Sequence, residues 1–297
     1  MREEASFNSN GLICKGWLYL PENTDTRKRL PAIVMAHGFS AVKEQGLQNF
    51  AEQFSNSGFV VLVFDYRYFG ESDGEPRCQL HPLEMVEDYR NAITWVSNHA
   101  NVDPDRIGIW GTSYSGGLAA FVGSIDKRAK AIVAQVPSII GPDTRRKMNP
   151  AKWENVGDIL LQDRISRYST NEINYIKVVA PEGEPCVLPG QESYDAMMGM
   201  AEEAPNWRNE ITLESLEKIR EFDPENLIHM IAPRALLIIA AQDDNLIPID
   251  ALNRAFERAS EPKEMSIYPI KHFEIYMGEW RIKAINAAIE WYKNHLQ

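Results

Sequence analysis

The chain runs to 297 residues, of which 44% are apolar and 25% charged, with a net charge of −11. This is the make-up of a globular protein, either one large domain or one domain carrying an insertion. The acidic balance excludes the basic footprint that nucleic-acid binding requires, and no apolar run is long enough to cross a bilayer.

Polar and apolar residues alternate from about Ala5 to Leu20 around Asn10-Gly11, a dipeptide that favours a tight hairpin turn. The polar stretch Pro21 to Arg29 is then a loop. Pro31 to Ala36 is a continuous apolar run, the mark of a strand buried on both faces, and it leads into His37-Gly38-Phe39. Apolar residues at helical spacing (Leu47, Phe50, Ala51, Phe54) predict a helix over Glu44 to Ser57, stopped by Gly58. Phe59 to Phe64 is a second buried strand, and the glycines and polar residues of 65–74 make a loop after it. Pro82 opens a helix with Val86, Tyr89, Ala92, Ile93 and Val96 on its apolar side. Arg106 to Trp110 and Ala131 to Val136 are further strands, with a small-residue helix from Gly116 to Ser124 between them.

The alternation then breaks. Residues 137–233 are polar and uneven, with a long helix about Asn155 to Tyr168 and a hairpin-like stretch from Ile176 to Leu188 around Pro181-Glu182-Gly183. Helical patches follow at Ser193 to Glu203 and Leu213 to Arg220. A structureless connection of that length is implausible inside a compact domain, so the segment is expected to be an inserted subdomain. Alternation resumes with a strand at Ala235 to Ala241, a helix at Asp250 to Ala259, a strand at Glu264 to Tyr268 and an amphipathic helix from Ile275 to His295. The expected organisation is a core made of residues 1–136 and 234–297, with 137–233 inserted between its parts. Such alternation places the chain in the α/β class, with a mostly parallel central sheet flanked by helices and a site outside the carboxyl ends of its strands.

Three strand ends carry chemistry. The strand ending at Gly111 runs through Thr112-Ser113-Tyr114-Ser115 into a helix rich in small residues. So sharp a turn admits only small flanking side chains and holds its central serine in strained dihedrals with the hydroxyl projecting. This is the strand–serine–helix arrangement of a nucleophile elbow, with Ser115 where a glycine is usual. A serine hydroxyl needs a base to take its proton, and the base needs an orienting acid. His272, in the loop between the last strand and the last helix, is the base candidate. The acid lies in Gln242-Asp243-Asp244-Asn245-Leu246-Ile247-Pro248. Asp244 is favoured over Asp243, because the D-x-x-I-P spacing fits a turn whose carboxylate faces the histidine. Chain order is Ser113, Asp244, His272, the order used on this kind of sheet. The backbone N–H groups of Tyr114 and Phe39 are the expected oxyanion donors, whereas His37 itself reads as a packed structural residue. Glycine-rich phosphate loops and metal-ligand spacings are absent from the sequence, so neither a cofactor nor a metal is expected.

With these motifs in place the chain resembles the α/β-hydrolase superfamily, on His37-Gly38-Phe39, Asp65-Tyr66-Arg67, Gly70-Glu71-Ser72-Asp73-Gly74, Gly111-x-Ser113-Tyr114-Ser115-Gly116-Gly117, Asp244-x-x-Ile247-Pro248 and His272-Phe273. Ser-Tyr at the elbow is similar to the dienelactone-hydrolase-like and Xaa-Pro-dipeptidyl-peptidase-like branch, and to fungal polyketide-processing hydrolases and transferases. Dienelactone hydrolases proper use cysteine at the serine position, so that activity is not carried over. The resemblance implies an α/β-hydrolase fold whose insertion caps the site, and a serine hydrolase acting on a small or medium acyl ester or thioester through an acyl-enzyme. It leaves open transfer of a (poly)ketide acyl group to an alcohol, and a non-hydrolytic binding or cyclase-like scaffold. Cleavage of a proline-containing peptide is weaker, because no carboxylate is identified to hold a free amino terminus.

Within the insertion, Trp153, Ile159, Leu160, Tyr168, Tyr194, Met197, Met198, Met200 and Trp207 could line an acyl pocket, and most are expected to form the insertion's own small core. Arg145-Arg146-Lys147 could attract a carboxylate, a coenzyme A phosphate or an acidic carrier protein, but reads first as a solvated charge run. The cysteines, Cys14, Cys78 and Cys186, are far apart and odd in number, as inert thiols of a reducing compartment are. The N-terminus lacks the apolar core of a secretory signal, so a cytoplasmic location is expected. The expected partner is the small-molecule acyl substrate, with no nucleic acid and no membrane; a homodimer is left open.

Overall fold

The continuous apolar runs become strands because each is buried on both faces. The computed structural model describes residues 1–22 and 29–296; residues 23–28, within the loop expected over Pro21 to Arg29, lie outside the described residues, as does residue 297. The strands are β1 (Arg2–Ser9), β2 (Leu12–Tyr19), β3 (Leu30–Ala36), β4 (Val60–Phe64), β5 (Val102–Thr112), β6 (Ala129–Gln135), β7 (Tyr175–Lys177), β8 (Glu210–Thr212), β9 (Ala235–Ala241) and β10 (Lys263–Tyr268). Eight of them form one sheet in the order β1-β2-β4-β3-β5-β6-β9-β10. β2 runs antiparallel to β1 and β4, and every other pairing in this sheet is parallel. The β1–β2 turn has Asn10 at φ 53° and Gly11 at φ 95°, both positive as a two-residue hairpin turn needs.

Alternate strand residues point to opposite sides. Val34, Leu62, Ile109, Ile132 and Ile238 join a cluster with residues of α2 (Pro82–Ser97), α3 (Tyr114–Ile125) and α8 (Ile249–Arg258). Ile33, Val61, Val133, Leu237 and Ile239 join a second cluster, with Leu47, Phe50 and Phe54 of α1 (Leu47–Asn56) and Ile285 and Tyr292 of α9 (Gly278–His295). Full burial of each such aliphatic side chain contributes about 1.5–3 kcal/mol, so the two clusters fix which strand faces which helix. The mostly parallel sheet flanked by helices is as expected.

Boundaries differ where a glycine or a turn intervenes. α1 begins at Leu47 rather than Glu44, because Gly46 stands at φ 81° and its N–H closes a turn onto the Glu44 carbonyl. α9 begins at Gly278, after a 3₁₀ turn over Glu274–Tyr276. The hairpin expected over Ile176 to Leu188 is a correction: β7 pairs with β8 instead. Val187 and Leu188 donate only two bonds back, to the Lys177 and Val178 carbonyls; Pro181, Pro185 and Pro189 have no N–H with which to continue a ladder.

Between β6 and β9 the chain forms α4 (Pro142–Met148), α5 (Pro150–Thr170), α6 (Gln191–Ala201), α7 (Leu213–Glu221) and a 3₁₀ helix over Glu225–Ile231, as well as β7 and β8. Its two ends are tied together by the buried Glu225 carboxylate, which accepts from Gly141 N (3.1 Å) and Thr144 Oγ1 (2.9 Å). The expectation of a separate small core here is overturned. Val178, Val179, Met197, Ile211, Ile219 and Phe222 are buried in the same cluster as the α2/α3 side of the sheet. Leu160 is buried, but Ile159, Tyr168 and Met198 are exposed, Tyr168 at 92%. Trp207 Nε1 donates to the Ser40 carbonyl at 2.8 Å, fastening the segment to the loop after β3. Among the described residues, no helix is long and apolar enough to cross a membrane.

Candidate active site

The turn between β5 and α3 is built on close approach. Ser113 has φ 53° and ψ −120°, outside the regions that L-residues favour, at a cost of about 1–3 kcal/mol. The surroundings hold it there: Ser113 N donates to the Gln135 carbonyl and Ser138 N to the Ser113 carbonyl, each at 2.8 Å. A Cβ on Gly111 would lie 2.1 Å from the Ser115 carbonyl oxygen, so the elbow cannot form with any larger residue there. Ser115 is tolerated in place of glycine for a specific reason. Its buried hydroxyl is 2.7 Å from Tyr66 Oη and 3.4 Å from Tyr89 Oη, and Tyr89 Oη donates to the Trp110 carbonyl at 2.5 Å. The extra side chain therefore ties the helix start to the loop after β4 and to α2.

His272 arrives from the loop after β10 and Asp244 from the loop after β9. His272 Nε2 is 3.1 Å from Ser113 Oγ, and His272 Nδ1 is 2.6 Å from Asp244 Oδ2. Asp244 Oδ1 accepts from both Leu246 N and Ile247 N, each at 2.8 Å. The tautomer this environment selects carries its proton on Nδ1, donated to the carboxylate, leaving Nε2 to accept from the serine hydroxyl. Asp244 and His272 are buried, at 7% and 2% exposure. Asp243 is exposed, with its N–H on the Ile270 carbonyl. Between the two aspartates, Asp244 is therefore the one against the imidazole.

The loop after β3 lies against the serine: a Cβ on Gly38 would fall 3.3 Å from Ser113 Cβ and 3.9 Å from its Oγ. Phe39 and Tyr114 stack edge to face, with ring centroids 5.7 Å apart. Among the described residues, neither the Phe39 nor the Tyr114 N–H donates to a protein acceptor. His37 is buried, with Nδ1 3.0 Å from the Gly38 carbonyl and Nε2 accepting from Tyr66 N at 3.4 Å. Burial pushes its pKa down to about 4, so it stays neutral.

A residue that no sequence pattern singles out holds this loop down. Lys43 is fully buried, and its ammonium donates to Asp65 (2.9 Å), Glu44 (2.7 Å) and Glu71 (2.6 Å). Asp65 Oδ1 also accepts from Lys43 N at 2.7 Å. Burial opposes the charge on Lys43, but the carboxylates outweigh it and hold the ammonium above its ordinary range. The carboxylates of Glu44, Asp65 and Glu71 lie within 4.8 Å of one another, and the lysine occupies the place a cation would take among them. Breaking a buried pair costs more than the pair contributes, since one charge is left uncompensated. Lys43→Met is therefore expected to lower the free energy of unfolding by roughly 3–5 kcal/mol, with much of it recovered in Lys43→Met/Asp65→Asn. Urea denaturation of both variants checks this.

A family model described as X-Pro dipeptidyl-peptidase (S15 family) matches residues 15–274, a span that includes Phe39, Ser113, Asp244 and His272. The chain belongs to the S15 family. Among similar proteins, the quorum-quenching protein AidA of Acinetobacter baumannii is 30% identical, over 98% of this chain and 94% of its own length. The thiohydrolase aneE of Aspergillus aculeatus is 32% identical, over 91% of this chain and 85% of its own. The solved structure of the α/β hydrolase GrgF from Penicillium sp. sh18 superimposes with a TM-score of 0.85 at 26% identity, covering 100% of this chain and 99% of that one; a Penicillium relative of that name is called a polyketide transferase. The fold is the α/β-hydrolase fold, and this S15 chain is an enzyme of the hydrolase type.

Two cavities meet at Ser113. The smaller, about 40 Å³, is lined by His272, Thr112, Tyr276, Met197 and Met200 among others. The larger, about 610 Å³, is lined by apolar residues such as Trp153, Val156, Ile140 and Ile219, and by Arg145, Lys152 and Arg220. Phe39 and Leu246 border both. Of the insertion residues singled out in the sequence, Trp153, Met197 and Met200 reach a cavity. Tyr276, 2.7 Å from Thr112 Oγ1, carries no signal in the sequence that marks it out, and Arg145 stands out there only as one member of a basic run. Arg145 departs from the solvated run expected of it, since its neighbours Arg146 and Lys147 are exposed while it turns inward. Cys14 and Cys78 are buried, and burial pushes the Cys78 thiol up to about 11; Cys186 instead borders the large cavity.

Proposed function

We propose that this S15 chain is a serine hydrolase that cleaves an ester or thioester of a small or medium acyl group through an acyl-enzyme on Ser113. The reading rests on one observation above all, the continuous chain Ser113 Oγ–His272 Nε2 (3.1 Å) and His272 Nδ1–Asp244 Oδ2 (2.6 Å). Ser113 Oγ attacks the carbonyl carbon while His272 Nε2 takes its proton. The oxygen of the tetrahedral intermediate is bound by the Tyr114 and Phe39 amides. His272 then passes the proton to the leaving alkoxide or thiolate, and Asp244 holds the imidazole in register and stabilises its cation. Water, deprotonated by the same His272, attacks the acyl carbon; the bond to Ser113 Oγ breaks, His272 returns the proton to that oxygen, and the acid leaves. No cofactor enters the scheme.

The cavity of about 40 Å³ beside His272 has room for the attacking water; the cavity of about 610 Å³ that also borders Ser113 accommodates the acyl group. The lining of the large cavity speaks against peptide cleavage, since it offers cations and no carboxylate to a free amino terminus. Within this reading, residues 137–233 act as a cap between the core segments 1–136 and 234–297. A homodimer would bury the apolar face of α5 formed by Leu161, Ile165 and Tyr168, which is exposed in the single chain.

Incubation with the N-acetylcysteamine thioester of pentanoic acid, with and without an added alcohol, tests the proposal by product analysis. The expected products are pentanoic acid and free thiol, with a pentanoyl adduct on the Ser113 peptide in quenched samples. Ester as the main product at modest alcohol concentration would establish transfer. No adduct and no thiol release would leave the fold as a binding scaffold.

A further inference from the structure

We propose that Arg145 binds a carboxylate carried by the acyl part of the substrate, a few bonds from the reacting carbonyl, so that the preferred substrates are half-esters or half-thioesters of dicarboxylic acids. The inference rests on the serine-hydrolase reading above and names its substrate class.

Arg145 is a cation held in place without a counter-charge. Its Nε donates to the Ile140 carbonyl at 3.0 Å and its Nη2 to Ser138 Oγ at 3.1 Å. Among the described residues it has no carboxylate within ion-pair distance, and Nη1 has no acceptor. Its neighbour Lys147, by contrast, is exposed and pairs with Asp143 at 2.6 Å. Burial disfavours the charge on Arg145, and Tyr114 is the one ionisable group that acts on it from nearby. The Tyr114 side chain is only 4% exposed, and its hydroxyl has no hydrogen-bond partner among the described residues. Both residues line the large cavity beside Ser113. A guanidinium and a phenol with unused donors, in one cavity wall, match the acceptor oxygens of a carboxylate.

The wider lining agrees. This chain has 42 acidic and 31 basic side chains, yet the cavity is lined by Arg145, Lys152 and Arg220 and by no carboxylate. Arg220 is engaged with Trp153, its guanidinium carbon 3.7 Å from the ring centre and Nη1 on the Trp153 carbonyl at 2.9 Å. Arg145 has no such occupation. It is also linked to the elbow: Ser138, whose hydroxyl accepts from it, donates its N–H to the Ser113 carbonyl at 2.8 Å. That position suits an anion on the acyl group better than a phosphate at the far end of a carrier arm.

The test compares glutaryl and pentanoyl thioesters of N-acetylcysteamine, which have equal carbon number and differ in the terminal carboxylate. In Arg145→Met the ratio of kcat/KM for glutaryl over pentanoyl is expected to fall by at least about tenfold, the scale of a lost charge-assisted bond. Arg145→Lys should restore part of the ratio, and Arg146→Met should leave it at the wild-type value. Fluorophosphonate labelling of Ser113 in Arg145→Met shows that the variant is folded and its serine activated. An unchanged ratio with labelling intact would overturn the inference while leaving the hydrolase reading standing. A fall confined to pentanoyl-coenzyme A relative to pentanoyl-N-acetylcysteamine would overturn it too, by assigning Arg145 to a carrier phosphate. Failure of the wild type to label or to turn over either thioester would overturn the hydrolase reading and this inference with it.

Discussion

Ser113→Ala is expected to lower kcat/KM on the pentanoyl thioester by about 10⁴–10⁶-fold, with no change in the thermal unfolding midpoint beyond a degree or two. The stability half of that expectation follows from where the strain resides. The unusual dihedrals of residue 113, φ 53° and ψ −120°, belong to the backbone, and alanine meets the same conformational cost as serine. The backbone bonds to Gln135 and from Ser138 remain. What disappears is the nucleophile, and with it the acyl-enzyme; residual rate above water then comes from the oxyanion donors and from binding. His272→Ala should fall by a similar factor, and the double variant no further, because the two act on one proton in one step. Thiol release measured alongside circular-dichroism melts checks both halves. A Ser113→Ala variant keeping a tenth or more of wild-type turnover would exclude the acyl-enzyme and return the fold to a scaffold role.

How much of this was legible in the sequence depends on how each residue is used. The core strands were readable because burial on both faces demands unbroken apolar runs such as Ile33-Val34-Met35 and Leu236-Leu237-Ile238-Ile239. Residues at the ends of those strands could be found by asking what chemistry needs there, and Ser113, Asp244 and His272 meet in one place accordingly. The insertion was harder to read, because its elements bury little: α5 has 21 residues and only Leu160 and Asp163 are buried. Its periodicity is correspondingly weak, and its apolar residues did not reveal that they join the main core. Lys43 was invisible, and Arg145 indistinct within its basic run, for another reason. A buried lysine whose partners are at 44, 65 and 71, or an arginine distinguished from its neighbour only by the direction it turns, is defined by tertiary placement. The same holds for Ser115, whose reason for not being glycine is supplied by Tyr66 and Tyr89.

The second large effect is expected at Asp244, and the geometry specifies its mechanism. Asp244→Asn should lower kcat by about 10⁴-fold with little loss of stability, whereas Asp243→Asn should stay within about twofold of wild type, as a change at an exposed surface site does. In the native carboxylate, Oδ1 accepts two N–H bonds, from Leu246 and Ile247 at 2.8 Å each, and Oδ2 faces His272 Nδ1 at 2.6 Å. An asparagine at 244 has a single acceptor oxygen. The two backbone donors require it at the Oδ1 position, because an NH₂ group there would leave both N–H groups unsatisfied in a buried site. The amide nitrogen is thereby forced toward His272, where it donates to Nδ1. That in turn drives the imidazole proton onto Nε2, the atom 3.1 Å from Ser113 Oγ. The base then presents a proton to the hydroxyl it should deprotonate, and the triad is intact in shape but in the wrong tautomer. Two readouts separate this from simple loss of charge. Asp244→Asn should melt near the wild-type midpoint, and ¹⁵N chemical shifts of His272 should move the proton from Nδ1 to Nε2. A variant that lost activity with its proton still on Nδ1 would mean that Asp244 acts through the charge it lends the imidazolium rather than through the tautomer it selects.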